Sequence, residues 1–191
     1  MKTKLLVVIA LMAVSATVSA QEFGVKGGLN LYKIGVDGGD KSDLKPGMHL
    51  GILSHIHMSD QFALQPELVY SMQGARTEND ADEEVGVNLN YVNIPLMFQY
   101  MFDNGFRIQA GPQLGFLASA KAKSNGRSAD IKDGYNTIEF GIPFGVGYIS
   151  NSGFGVDARY NLGISNIHEG NDNKAHNRGL QIGVFYQFRK D

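Results

Sequence analysis

After Gln21, apolar and polar residues alternate with a period of two along most of the chain, and no segment keeps a 3.6-residue helical period for long. The first run sets Phe23, Val25, Gly27, Leu29 and Leu31 on one face and Glu22, Gly24, Lys26, Gly28 and Asn30 on the other. The same pattern returns with Met48, Leu50, Ile52, Ile56 and Met58 against His49, His55 and His57, then with Phe62, Leu64, Leu68, Tyr70 and Met72 against Gln65, Glu67, Ser71 and Gln73. Further runs begin at Val92, Phe106, Ile138, Phe154 and Leu180. The pattern predicts eight strands and an all-β, antiparallel, up-and-down architecture in a single domain spanning 21–191.

The connections alternate in length. Ser59-Asp60, Asp103-Asn104-Gly105 and Asn151-Ser152-Gly153 read as tight turns, because Asn and Gly tolerate the positive φ that hairpins demand. The stretches around 34–45, 75–87, 120–135 and 167–177 read as long, polar connections. This order puts every tight turn and both ends of the domain on one side, as in outer-membrane barrels with periplasmic turns and termini and extracellular loops.

Alternation by itself leaves open which face is inside, since a soluble lipid-binding barrel turns its apolar face inward and a membrane barrel turns it outward. The second face decides. It is built mostly from Gly, Ser, Asn and Gln, while most Lys, Asp and Glu lie in the connections, whereas a water-facing sheet would carry more charge. Only closure satisfies every backbone group of a sheet in lipid. The expectation is therefore a closed transmembrane barrel, with Phe23, Phe62, Phe102, Phe106, Tyr148, Phe154, Tyr186 and Phe188 suited to interfacial girdles. Pro66, Pro95, Pro112 and Pro143 fall within strands and should each mark a bulge or local break, because proline cannot donate to a ladder.

Residues 1–20 have the zones of a secretory signal: Lys2 and Lys4, an apolar run from Leu5 to Val14, and Val18-Ser19-Ala20 before Gln21. Without them the remaining 171 residues hold 15 basic and 19 acidic side chains, a net charge of −4 that argues against nucleic acid as a partner. Cysteine is absent, which excludes thiol and zinc-thiolate chemistry, and the 24 glycines sit among apolar residues as strand glycines do.

The phrases Gly24-Val25-Lys26-Gly27-Gly28-Leu29-Asn30, Gln65-Pro66-Glu67-Leu68, Asn93-Ile94-Pro95-Leu96, Ala110-Gly111-Pro112-Gln113-Leu114-Gly115 and Arg159-Tyr160-Asn161-Leu162-Gly163 together resemble the PorT-like outer-membrane β-barrel family, in the manner of a short generic member. The resemblance implies an eight-stranded outer-membrane barrel, often without assigned activity. The link of the founding member to protein secretion is not carried over.

An inward polar face would bring Lys26, Arg107 and Arg159 into a narrow lumen with Glu67, Glu139 and Asp157. These charges would form either a gated ion path or a plug of salt bridges, and the plug is favoured because eight strands enclose about enough room for side chains alone. His49, His55 and His57 share one strand parity, and His55 and His57 with Glu67 form a weak metal candidate; no metal or cofactor is expected. The acidic run 78–84 lacks the spaced ligands of a calcium loop, and Gly24 to Gly28 opens no phosphate-binding helix. His168, Glu169, Asp172 and His176 could serve a rim enzyme, but no motif positions a nucleophile, so no catalytic residue is assigned.

The leading expectation is a non-enzymatic, monomeric outer-membrane barrel with a structural or surface-interaction role. Its partners would be outer-membrane lipid and, during insertion, the barrel-assembly machinery. A narrow porin, a rim enzyme and a soluble periplasmic lipid carrier are the alternatives. Intact-mass measurement of the exported protein should give a chain beginning at Gln21; a mass that retains residues 1–20 would remove the signal reading.

Overall fold

The computed structural model describes residues 21–36, 42–78, 84–124, 127–169 and 174–188, so the proposed signal and most of the acidic run lie outside the described residues. Ten β segments form one antiparallel sheet: β1 (Gln21–Val36), β2 (Lys45–His57), β3 (Phe62–Glu78), β4 (Glu84–Met101), β5 (Phe106–Ala110), β6 (Gln113–Ser124), β7 (Arg127–Asp130), β8 (Ile138–Ile149), β9 (Phe154–Gly163) and β10 (Ala175–Phe188). β5 and β6 are two halves of one wall strand, since both pair with β4 on one side and β8 on the other. β7 is a short ribbon on the end of β6. β1 pairs with β10 and β3 with β4, so the sheet closes into an up-and-down ring of eight walls.

The apolar faces point outward. Leu50 is 70% exposed and Leu29 66%, while Lys26, Gln65, Glu67 and Arg159 are each under 5% exposed on the opposite face. A soluble lipid carrier would need the reverse, and that alternative is removed. Outward apolar positions on β1 run from Phe23 to Leu31, about 26 Å along the strand at ~3.3 Å per residue. A strand tilt of about 40° reduces this to roughly 20 Å of height, suited to a thin bilayer core.

The walls are longer than this band requires. β1, β3 and β4 have 16, 17 and 18 residues, where about 9–11 tilted residues cross a bilayer. Two of the expected long connections are thus corrected: much of 75–87 and of 120–135 is strand, whereas between β1 and β2 the strands end at Val36 and resume at Lys45, close to the expected bounds. The reason is a change of phase in the alternation. Beyond the apolar band, outward positions become Lys33, Arg76, Asn88, Lys121 and Arg178, whereas inward positions become Ile34, Ala75, Leu89, Leu117 and Ala175. The barrel is inside out within the bilayer and ordinary above it, since each medium selects the face it wets. A register shift between Asn90 and Tyr91 of β4 lies at this boundary, where Asn90 faces Ser119 and Tyr91 faces Leu117, leaving Ala118 as the extra residue of a bulge.

Pro66, Pro95, Pro112 and Pro143 fall at ladder interruptions without a register change, whereas Pro46, at the start of β2, pairs with Leu31 in an unbroken ladder. Pairing of β2 with β3 skips from Leu53–Glu67 to Ile56–Leu64 beside Pro66, and pairing of β3 with β4 skips from Pro66–Leu96 to Val69–Asn93 beside Pro95. Pro112 divides β5 from β6, and opposite it the Pro143 carbonyl accepts from the Gly111 N–H at 3.1 Å. The tight turns form where expected, with Gly105 and Gly153 at φ of 86° and 85°.

Phe62, Tyr100, Phe102 and Phe106 make a chain of ring contacts at 5.2, 5.0 and 5.7 Å, and Tyr186 meets Phe188 at 5.3 Å. With Phe23, Tyr148 and Phe154 these rings form one girdle at the turn end. Leu50→Arg should cost about 2–4 kcal/mol in refolding into lipid bilayers, whereas Asn88→Arg, outward but above the band, should cost under about 1 kcal/mol. Equal costs would contradict the assigned band.

Candidate functional site: a closed lumen

Alternation sends the polar side chains of all eight walls into one bore, and the strand register decides which of them meet. At its middle, Glu67 of β3 accepts hydrogen bonds from Arg159 of β9 through Nη1 at 2.8 Å and Nη2 at 2.7 Å. Lys26 Nζ of β1 reaches Glu67 at 3.3 Å and Asp157 at 2.9 Å, and Arg159 Nη2 reaches Asp157 at 3.0 Å. Gln65 Nε2 donates to Glu67 at 2.6 Å, and Arg159 Nη2 to Gln109 at 3.1 Å. Two cations and two anions from three walls that are not all neighbours therefore tie the bore across its width. The two-pronged Arg159 to Glu67 contact is the geometry in which a guanidinium binds a carboxylate most strongly.

Of the six charged residues placed in the lumen by sequence, these four meet and two stand apart. Arg107 lies toward the turn end, donating through Nη1 to Gln99 at 3.1 Å with its guanidinium 4.6 Å from the Phe185 ring centre. Glu139 of β8 lies in the loop half, 6% exposed, in a narrow pocket with Tyr32, Asn161 and Asn177.

Below the charge cluster the bore opens at the turn end into a vestibule of about 610 Å³, whose lining includes Glu22, His55, His57, Asp60, Arg107 and Gln187. The rings of His55 and His57 meet edge-on at 4.6 Å, and His55 Nδ1 lies 3.4 Å from Gln65 Oε1. Glu67, the carboxylate considered for these histidines, is turned to Arg159 and Lys26 instead. Among the described residues no three His, Cys, Asp or Glu side chains gather as a metal set. His49 sits higher, with Nδ1 2.8 Å from Asn30 Oδ1.

The loop end is shut by an apolar cluster of Ile34, Ala75, Leu89, Tyr91, Leu117, Ala120, Tyr135, Ile167 and Ala175. Tyr135 and Ile167 are tucked in from the connections. A 3₁₀ turn over Lys132–Gly134 leads into Tyr135, whose ring packs 4.7 Å from that of His168, and Asn136 Nδ2 holds the carbonyls of Asn166 and His168 at 3.0 and 2.9 Å. Burial pushes the Tyr135 hydroxyl above its usual range.

Sequence reasoning missed this cap. Its signal was available in Tyr32-Lys33-Ile34 and Leu89-Asn90-Tyr91, where apolar residues move to the parity that polar ones hold lower in the same strands. The rim residues do not assemble: His168 is spent on Tyr135, Glu169 is exposed, His176 rides the outward parity of β10, and Asp172 lies outside the described residues.

Glu67→Ala would leave Arg159 and Lys26 sharing Asp157 alone and should destabilise the barrel by about 3–5 kcal/mol in urea unfolding. Glu67→Leu combined with Arg159→Met leaves the matched Lys26–Asp157 pair and should cost less than the single change. A purely additive pair of losses would show that the four groups are not coupled.

In comparisons with known proteins, no curated protein matches this sequence. The fold is that of solved outer-membrane barrels. Neisserial surface protein A matches with a TM-score of 0.61 at 17% identity over 87% of this chain and 97% of its own. Ail, the attachment invasion locus protein of Yersinia pestis, matches with a TM-score of 0.52 at 15% identity over 87% of this chain and 98% of its own. The sequence profile of the outer membrane protein beta-barrel domain matches residues 15–169, most of the chain and every wall but the last. With its closed ring, outward apolar band and polar bore, this chain belongs to the outer membrane protein beta-barrel domain family.

Proposed function

We propose that this chain is a non-enzymatic, non-conducting outer-membrane barrel with a structural or surface-interaction role, its turn end and termini in the periplasm and its loop end outside. The observation that carries the reading is the double closure of the bore, by a four-charge cluster at its middle and an apolar cap above it. A conducting path would need a continuous wet column, and eight strands leave about enough space for side chains alone. Barrels of this fold include a surface protein and an attachment invasion protein, so the architecture can serve a role carried by its exterior connections. Within the family, the phrases around Pro66, Pro95 and Pro112 favour a short PorT-like member. The barrel stands as a monomer in outer-membrane lipid, delivered there by the barrel-assembly machinery.

Planar-bilayer recordings of the purified protein should show no steady conductance. A double change that opens the cap, Tyr91→Ala with Ile167→Ala, should still give none while the charge cluster is intact. Steady wild-type current whose ion selectivity changes with Arg107→Glu would replace this reading with the narrow-porin alternative, for which the open vestibule would be the entrance.

A further inference from the structure

The alternation that turns Lys33 outward on β1 does the same for Arg178 and His176 on β10, and the ladder sets Lys33 directly opposite Arg178. His176 comes two residues higher, opposite Gly35, and Lys174 keeps the same parity just beyond the strand. Four basic side chains thus climb one seam of the outer wall. Among the described residues, the outward positions of β1, β2, β9 and β10 hold no carboxylate to face them. Like charges directly opposite weaken a sheet unless something of the other sign joins them. The described protein supplies nothing of that kind: Arg178 Nε and His176 Nδ1 are shielded yet have no hydrogen-bond partner, and neither Lys33 nor Arg178 forms an ion pair.

The frame around this seam is apolar. Directly below it, exposed Leu31 and Leu180 oppose each other at the top of the outward band. Leu162 of β9 lies beside Arg178, and exposed Leu44 precedes β2 on the other flank. Lys33 stands two residues above Leu31, about 7 Å along the strand at ~3.3 Å per residue. Headgroups add roughly 5–7 Å to each side of the hydrocarbon of a bilayer. The opposed cations therefore stand at headgroup height, with acyl chains beneath.

We propose that the β1–β10 seam binds a phosphorylated lipid of the outer leaflet, its phosphate between Lys33 and Arg178, His176 at the upper edge, and its chains along Leu31 and Leu180. The site rests on the reading of this chain as an outer-membrane barrel with its loop end outside. Charge sets the headgroup: a phosphate monoester carries about −1.5 to −2 near neutral pH, which a Lys and an Arg balance. The guanidinium also offers parallel N–H donors to phosphate oxygens. A zwitterionic headgroup brings an ammonium that the same cations repel. The leucines set the rest of the ligand, since a free anion gains nothing from them and a lipid does.

The test uses the full chain, purified in zwitterionic micelles, and native mass spectrometry after addition of equal amounts of phosphatidic acid and phosphatidylcholine with the same chains. The parent should retain about one phosphatidic acid, preferred about tenfold over phosphatidylcholine. Lys33→Gln combined with Arg178→Gln should abolish the preference, whereas Lys121→Gln, removing an outward cation from the opposite wall, should keep it. Equal loss in both variants would mean diffuse attraction, and displacement of the lipid by millimolar inorganic phosphate would remove the lipid as occupant; either overturns the proposal. Heating in gels gives a second reading. Without phosphatidic acid, Lys33→Gln should melt at or above the parent, because the opposed charges are relieved. With it, the midpoint of the parent should rise by several degrees, as for a ligand of the native state, and that of Lys33→Gln should not. A compact parent that retains both lipids alike, with an unmoved midpoint, overturns the site and leaves the barrel reading standing; a parent with no compact form overturns both.

Discussion

The structure depends on one constraint: in hydrocarbon a peptide N–H or C=O has no water to turn to, so the sheet must pair every edge with itself. That requirement closes β3 onto β4 and β1 onto β10. Closure at eight walls then fixes a bore so narrow that the inward side chains must fill it. The packing of polar groups in the interior is thus a consequence of backbone hydrogen bonding. Lys26, Glu67, Asp157 and Arg159 meet because four long side chains from β1, β3 and β9 share a small cross-section and none can reach water without crossing another.

The same walls obey two solvents. Within the bilayer the outward face of β1 is Phe23 to Leu31 and its inward face includes Lys26 and Asn30; a turn of the pattern later, Lys33 is outside and Tyr32 and Ile34 are inside. Strand pairing continues across this boundary, and the bulge at Asn90 and Tyr91 adjusts the twist there. The apolar cap is then an ordinary hydrophobic core set on an inside-out base. Hydrophobic burial stabilises it, whereas the membrane portion gains from lipid contact and cross-bore pairing.

Much of this could be read from residues alone. The period of two gave the walls, Asn104-Gly105 and Ser152-Gly153 gave turns, and the scarcity of charge opposite Leu50 or Ile182 gave the facing. Pro66, Pro95, Pro112 and Pro143 interrupt the ladders as a missing N–H demands. Strand ends were harder, because a polar stretch such as Arg76 to Asn88 reads equally as a loop or as a wall standing in water. Partners across the bore were not legible. Parity puts Glu67, Arg107 and Glu139 in the lumen, but the stagger of tilted strands decides that Glu67 meets Arg159 while Arg107 and Glu139 are carried to opposite ends. Tyr135 and Ile167 enter the cap from connections, where no periodicity marks them.

Among the described residues, the bore is roomy and polar at one end and filled by apolar side chains at the other, so the two ends of the interior differ in kind. The vestibule around His57, Asp60 and Arg107 opens at the turn end. On the loop side, Tyr91, Tyr135 and Ile167 stand in the bore among the described residues. The inner surface is therefore one-sided: although the walls pass through both faces of the membrane, the roomy polar part of the bore faces one of them.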